Sequence, residues 1–125
     1  MKDVDELDHV NNVVWVRYVI QLAFAHAEAL GFDFEEDKRS GHVWVVSRHE
    51  IDYQRSAPLG AEIAEETWVS ELHGARLVRH SRFSLGSGGP LLVSARTVWA
   101  WVELASMRPK RVPKEMVERF PIAGR

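Results

Sequence analysis

The run from Val13 to Leu30, VVWVRYVIQLAFAHAEAL, constrains this chain more than any other stretch, because it is a helical pattern with almost no polar face. Its strongly polar residues are Arg17, Gln21, His26 and Glu28. At about 100° per residue, Arg17, Gln21 and Glu28 fall within roughly 40° of one another on the helical wheel, with His26 opposite. Val, Leu, Ile, Ala, Phe and Trp fill the remaining circumference, and a helix so apolar is a buried one. Arg17 would lie near the centre of any hydrophobic span of about 20 residues, which argues against a membrane crossing. The helix therefore needs a wrapper from the rest of the chain. Asn11 or Asn12 can cap its start by accepting a bond from a first-turn amide. Gly31, free to take positive φ, can close it.

After a charged connection over 32–41, expected to be a solvated loop with at most a short helical turn, the hydrophobic period changes from 3.6 to 2. Strands are expected over 42–54, 61–73, 75–85 and 91–104, separated by RSAPLG, a turn at Gly74 and the break GSGGP. In the first strand, strict alternation puts Val43, Val45, His49, Ile51 and Tyr53 on one face and Trp44, Arg48, Glu50 and Asp52 on the other. Trp99 and Trp101 share a face of the last strand. Pro109 and Pro113 make 107–113 irregular, and 114–120 forms a last helical turn or lies loose. Four consecutive strands with short turns predict an antiparallel meander. With one apolar helix covering it, that is an α+β domain. There are no internal repeats, and 1–125 reads as a single domain.

Bulk properties exclude several function classes. The net charge of −2 offers no basic face for nucleic acid. The chain has no cysteine, which removes disulfides, thiolate catalysis and Cys-based metal sites and suits a reducing cytoplasm. The opening MKDVDELD lacks the apolar core of a secretion signal. His42, His49, His73 and His80 have no metal-ligand spacing, so no metal is expected.

The segment Asp5-Glu-Leu-Asp-His9-Val10-Asn11-Asn12 leading into a buried helix resembles the hotdog-fold thioesterases, the 4-hydroxybenzoyl-CoA and acyl-CoA/acyl-ACP thioesterase group. The resemblance continues in EIDYQRSAPLG (50–60), TWV (67–69) and RPKRVP (108–113), four segments in register along nearly the whole chain. It implies a hotdog fold, an antiparallel sheet wrapped around one long central helix. It also implies homodimers joined through the sheet, or dimers of dimers (homotetramers), with active sites at the subunit interface and no cofactor. The family further carries a strand of about ten residues before the motif, and this chain opens almost upon it; that first strand is expected to be short or missing.

By the resemblance, Asp5 is the catalytic carboxylate, acting as general base on water or as nucleophile, with His9 assisting it. Judged from the residues alone, Asp5 is a loop acid in a run of Asp3, Asp5, Glu6 and Asp8, and His9 a loop-to-helix histidine satisfied by backbone. The free amides and positive end of the helix N-terminus suit the developing oxyanion. Substrate-contact candidates are Asn11 and Asn12 (otherwise caps), Trp15 and Phe24 (otherwise core) as determinants of acyl length, and Arg55 for CoA phosphates. Arg79, Arg82, Arg108, Lys110 and Arg111 are further phosphate candidates, each solvated by default. The chain departs from the family at Leu7, where plant-type enzymes have Asn, at Ser56, where they place an acid, and at Asp8, where many bacterial members have Gly.

The function so implied is hydrolysis of an acyl-CoA, or an acyl-ACP, in fatty acid metabolism in the cytoplasm. Two rivals stand beside it. One is a non-catalytic module that binds acyl-CoA. The other is a hotdog enoyl-CoA hydratase or dehydratase, whose Asp and His usually stand five apart with Asn-Pro between, a pattern absent here.

Overall fold

A computed structural model describes residues 12–58 and 60–122. The apolar run forms helix α1 (Asn12–Ala29). Its end is a Schellman motif: Phe32 N–H donates to the Ala27 carbonyl at 3.1 Å and Gly31 N–H to the Glu28 carbonyl at 2.9 Å. Gly31 has φ +89, and a Cβ there would come within 2.7 Å of the Arg119 guanidinium. That guanidinium donates to the Leu30 carbonyl and lies over the Phe32 ring; it could swing aside for a Cβ, so the positive φ is what requires glycine at 31. The connection expected to be a solvated loop with a short helical turn contains the six-residue helix α2 (Phe34–Arg39), started by the Asp33 carboxylate accepting from the Glu35 and Glu36 amides.

Four long strands follow: β1 (His42–Tyr53), β2 (Ile63–His73), β3 (Arg76–Leu85) and β4 (Leu91–Glu103). They pair antiparallel in the order β1-β4-β3-β2. The expected four-strand meander therefore holds only for β2–β4. β1 joins the far edge of β4, because its link to β2 is a nine-residue connection over 54–62 rather than a tight turn. Buried Ala57 packs that link into the core. The hairpins are tight where they were expected: two residues, Gly74 and Ala75, separate His73 from its partner Arg76.

Strict alternation fails in β1. The register with β4 slips between Val46 and Arg48, leaving Ser47 as a bulge. Trp44 thus pairs with Trp101 and Val46 with Trp99, while His49 pairs with Thr97 and Ile51 with Ala95. Trp44 and Val46, not Val43 and Val45, share the helix-facing side with His49 and Ile51. Trp99 and Trp101 share that face as expected.

Residues 107–113 are more ordered than their prolines suggested. Arg108–Pro109 form a two-residue strand β5 beside the end of β4, and the Val112 amide donates to the Gly74 carbonyl at 2.8 Å. Lys114–Arg119 form helix α3, which seats Met116 and Phe120 in the core; Phe120 stacks on Phe32 at 4.6 Å.

α1 covers the inner face of the sheet with two apolar clusters. Trp15 and Val19 meet Phe83, Val93 and Ala95. Ala23 and Ala27 meet Val69, Leu77, Trp99 and Trp101, with Phe32, Met116 and Phe120 closing that end. Phe83 is fully buried and its ring packs against Trp15 at 5.3 Å. Phe83→Ala is expected to cost about 3–5 kcal/mol in urea unfolding. Leu104→Ala, at an exposed position, should stay within about 0.5 kcal/mol of the parent.

Candidate functional site

Between the two apolar clusters runs a polar seam. The register sets Val69, Arg79, Thr97 and His49 in one row across β2, β3, β4 and β1, and Thr67, Ser81, Ala95 and Ile51 in the next. His49 Nδ1 lies 3.0 Å from Thr97 Oγ1. Thr67 Oγ1 donates to the His80 carbonyl at 2.8 Å. Arg79 is the centre of the seam. It follows the inward alternation Leu77, Arg79, Ser81, Phe83, which fixes its side chain between sheet and helix. The residue is 3% exposed, so the solvated setting expected for it from sequence is wrong.

Arg79 Nη1 donates to His26 Nδ1 at 2.8 Å and to Thr67 Oγ1 at 3.1 Å. It forms no ion pair with a carboxylate among the described residues. Burial lowers its pKa to about 10, so it remains a cation at neutral pH. His26 accepts at Nδ1 and must carry its proton on Nε2. Burial first, and the Arg79 charge second, lower the His26 pKa and hold the ring neutral. One ring nitrogen is bonded, as expected for a histidine opposite the polar stripe.

Beside Arg79 a small cleft of about 30 Å³ opens toward the C-terminal half of α1. Phe24, Phe34, Trp44, Leu77, Trp99 and Phe120 form most of its wall. Two buried N–H groups of its lining residues, Arg79 Nε and Trp99 Nε1, have no hydrogen-bond partner among the described residues. At that size it holds about two water molecules in this conformation.

The candidates from sequence fall in different places. Asp5, His9 and Asn11 lie outside the described residues. Asn12 opens α1. Trp15 is buried in the core against Tyr18 and Phe83. Phe24 is half-buried, edge-on to Phe34 and Trp99, and lines the cleft. Arg55 is exposed on the link after β1, its amide donating to the Leu92 carbonyl at 3.1 Å. Arg82, Arg108, Lys110 and Arg111 are exposed. Among the described residues no three His, Asp or Glu side chains come together to hold a metal ion, and no helix is long and apolar enough to cross a membrane.

The thioesterase-like superfamily model matches residues 1–120. The chain belongs to that superfamily. Its antiparallel sheet packed by α1 is the hotdog fold of the family's solved members. It is similar, at 24% identity over 119 residues, to an acyl-acyl carrier protein thioesterase, chloroplastic, of Arabidopsis thaliana, covering 94% of this chain. The chain spans less than two thirds of the curated relatives it matches, 62% of that protein and 18% of another plant acyl-carrier-protein hydrolase. A thioesterase from Thermus thermophilus complexed with coenzyme A and Zn superposes with TM-score 0.80 at 27% identity, over 96% of this chain and 84% of that one. A 1,4-dihydroxy-2-naphthoyl-CoA thioesterase from Synechocystis superposes with TM-score 0.87 at 13% identity, over 95% and 88%.

Burial is the leading cause that holds His26, His49 and His80 below the usual histidine range in the folded chain. The unfolded chain then binds more protons once the pH drops toward and below about 6.5. Stability from these groups is full above that value and declines as pH falls through it. Melting temperature should therefore fall between about pH 7.5 and pH 5.5, above the range where ordinary carboxylates titrate. His26→Gln, which cannot charge beside Arg79, should show a shallower fall in the same scan.

Proposed function

We propose that this chain hydrolyses acyl thioesters of coenzyme A, or of acyl carrier protein, to the free acid and thiol. The observation that carries the proposal is the superfamily match over residues 1–120, which takes in the Asp5–His9 segment together with the helix behind it. The acyl-ACP relative and the coenzyme A complex supply the two carrier types. α1 begins at Asn12, seven residues after Asp5. Its first amides have no partner within the helix and carry its positive end.

In this mechanism the thioester carbonyl is polarised by those amides. Asp5 takes a proton from water, and the resulting hydroxide adds to the carbonyl carbon. The tetrahedral intermediate then expels the thiolate, which recovers the proton. Direct attack by Asp5, with a mixed anhydride hydrolysed afterwards, uses the same groups. His9 orients Asp5, and Asn11 and Asn12 fix the loop at the helix start. Phe24 bounds the acyl chain, and Arg55 meets the carrier's phosphate; Trp15, packed against Phe83, serves the core instead. β1 and β2 are the outer strands of the sheet, so edge pairing gives a homodimer, or a dimer of dimers, with sites at the interface. A reducing cytoplasm suits a chain without cysteine.

Free-thiol release from acyl-CoAs of short, long and aromatic acyl groups tests the proposal. Asp5→Asn is expected to lower kcat at least about a hundredfold, the scale of lost general-base catalysis, with KM little changed. Hydrolysis unaffected by Asp5→Asn would remove Asp5 from the site. An acyl-CoA that binds but releases no thiol would make the chain a binding module instead.

A further inference from the structure

Among the described residues five large apolar side chains are exposed, and two of them, Leu104 and Met107, stand in one turn. Scattered exposed residues need no explanation, but two within four consecutive exposed residues, 104–107, form an apolar tip. The turn closes the short hairpin in which Glu103 pairs with Arg108. Hydrogen bonds hold it: the Leu104 amide donates to the Gly41 carbonyl at 2.9 Å and the Met107 amide to the Glu103 carbonyl at 2.7 Å. Met107 takes φ +55, a conformation that suits glycine or asparagine. A position that favours a small residue thus displays a long apolar side chain, 58% exposed.

The charge around this tip has one sign. Residues 104–114 include the cations Arg108, Lys110, Arg111 and Lys114 and no acid, in a chain of net charge −2. Lys114 is paired with Glu118 at 4.0 Å. Arg108, Lys110 and Arg111 are exposed, as is Arg39, two residues before the Gly41 that anchors Leu104. None of these four arginines and lysines has an ion pair among the described residues. The acid beside them is Glu103, whose carboxylate accepts from the Ser106 hydroxyl at 2.8 Å. At about 3.3 Å per residue, Lys110 and Arg111 lie within roughly 13 Å of Met107.

We propose that the 104–107 turn dips into the surface of a membrane that carries anionic lipid. Leu104 and Met107 enter the acyl boundary, and Arg39, Arg108, Lys110 and Arg111 meet lipid phosphates behind them. Such a contact lies on the membrane and does not cross it. A four-residue tip suits lipid rather than protein, because a stable protein interface needs about 800 Å² from each partner. Each cation beside a negative leaflet adds an attraction that salt screens. This contact needs no thioester hydrolysis.

Co-sedimentation with vesicles of phosphatidylcholine, alone or with about 30% phosphatidylglycerol, tests it. The anionic vesicles are expected to bind at least about tenfold tighter at low salt, a gain lost near 1 M salt, where the Debye length is about 3 Å. The chain has no cysteine, so the Ala105→Cys variant carries a single environment-sensitive fluorophore at the tip. Its emission should shift to the blue on anionic vesicles. Met107→Gly, which suits the positive φ, should melt at the parent temperature or above it. Combined with Leu104→Ser, it should weaken vesicle binding at least about tenfold. Replacing Arg108, Lys110 and Arg111 together by Gln should weaken binding about a hundredfold at low salt. Anionic vesicles bound no better than neutral ones, or a fluorophore that does not shift, overturn the proposal. Binding lost with the three cations but kept by Met107→Gly with Leu104→Ser also overturns it. That result marks a patch for an acidic protein surface instead, for which polyglutamate would compete. Every readout is taken without substrate, so a failure of thioester hydrolysis leaves it standing.

Discussion

Most of the circumference of α1 has to leave water, and the four long strands and α3 are arranged to meet that requirement. At about 25 cal/mol per Å² of apolar surface, a residue such as Trp15 or Val19 is worth a few kcal/mol when buried. One sheet face broad enough to receive 18 residues of helix satisfies the requirement. The two ends of the helix are met differently. Trp15 and Val19 rest on Phe83, Val93 and Ala95 of the central strands. Ala23 and Ala27 are small, so large side chains from elsewhere close over them, and α3 delivers Met116 and Phe120 for that purpose. The small residues on the helix and the large ones opposite are complementary halves of one packing problem.

The polar seam works against that economy. Thr67, Ser81, Thr97 and Arg79 interrupt the inner face where apolar residues would pack better, and Arg79 alone sets a full charge there. Its bonds to His26 and Thr67 satisfy part of the guanidinium, and a neutral histidine offers no opposite charge. Fully satisfied polar networks stiffen a core, whereas a partly satisfied one is a cost that packing elsewhere must offset. The neutral state of His26 and the charged state of Arg79 are linked, because protonating the ring would place two cations in hydrogen-bond contact.

Much of this was legible in the residues. The periods of 3.6 and 2 located α1 and the four strands within one or two residues, and Gly31 marked the helix end because only positive φ lets the Schellman bonds form. Asp33 with Glu36 three residues on was a capping signal for α2 that could have been read and was not. The inward alternation of β3 carried Arg79 in plain view, but a charged residue in a strand is assigned to solvent until its neighbours' faces are known. Ser47 gave no signal. A bulge is an agreement between two strands, and alternation within one strand cannot reveal it.

The sequence by itself determined the elements and the family: an apolar helix that must be covered, strands to cover it, and the Asp5–His9 segment leading into the helix. These depend on neighbours a few residues apart, where propensity and periodicity act. Only the tertiary structure decided that β1 crosses to β4, that the Ser47 bulge turns Trp44 and Val46 inward, and that Arg79 lies buried beside a cleft with Trp99. Those outcomes rest on pairings between residues tens of positions apart, and their energies come from which surfaces meet rather than from what each segment prefers alone.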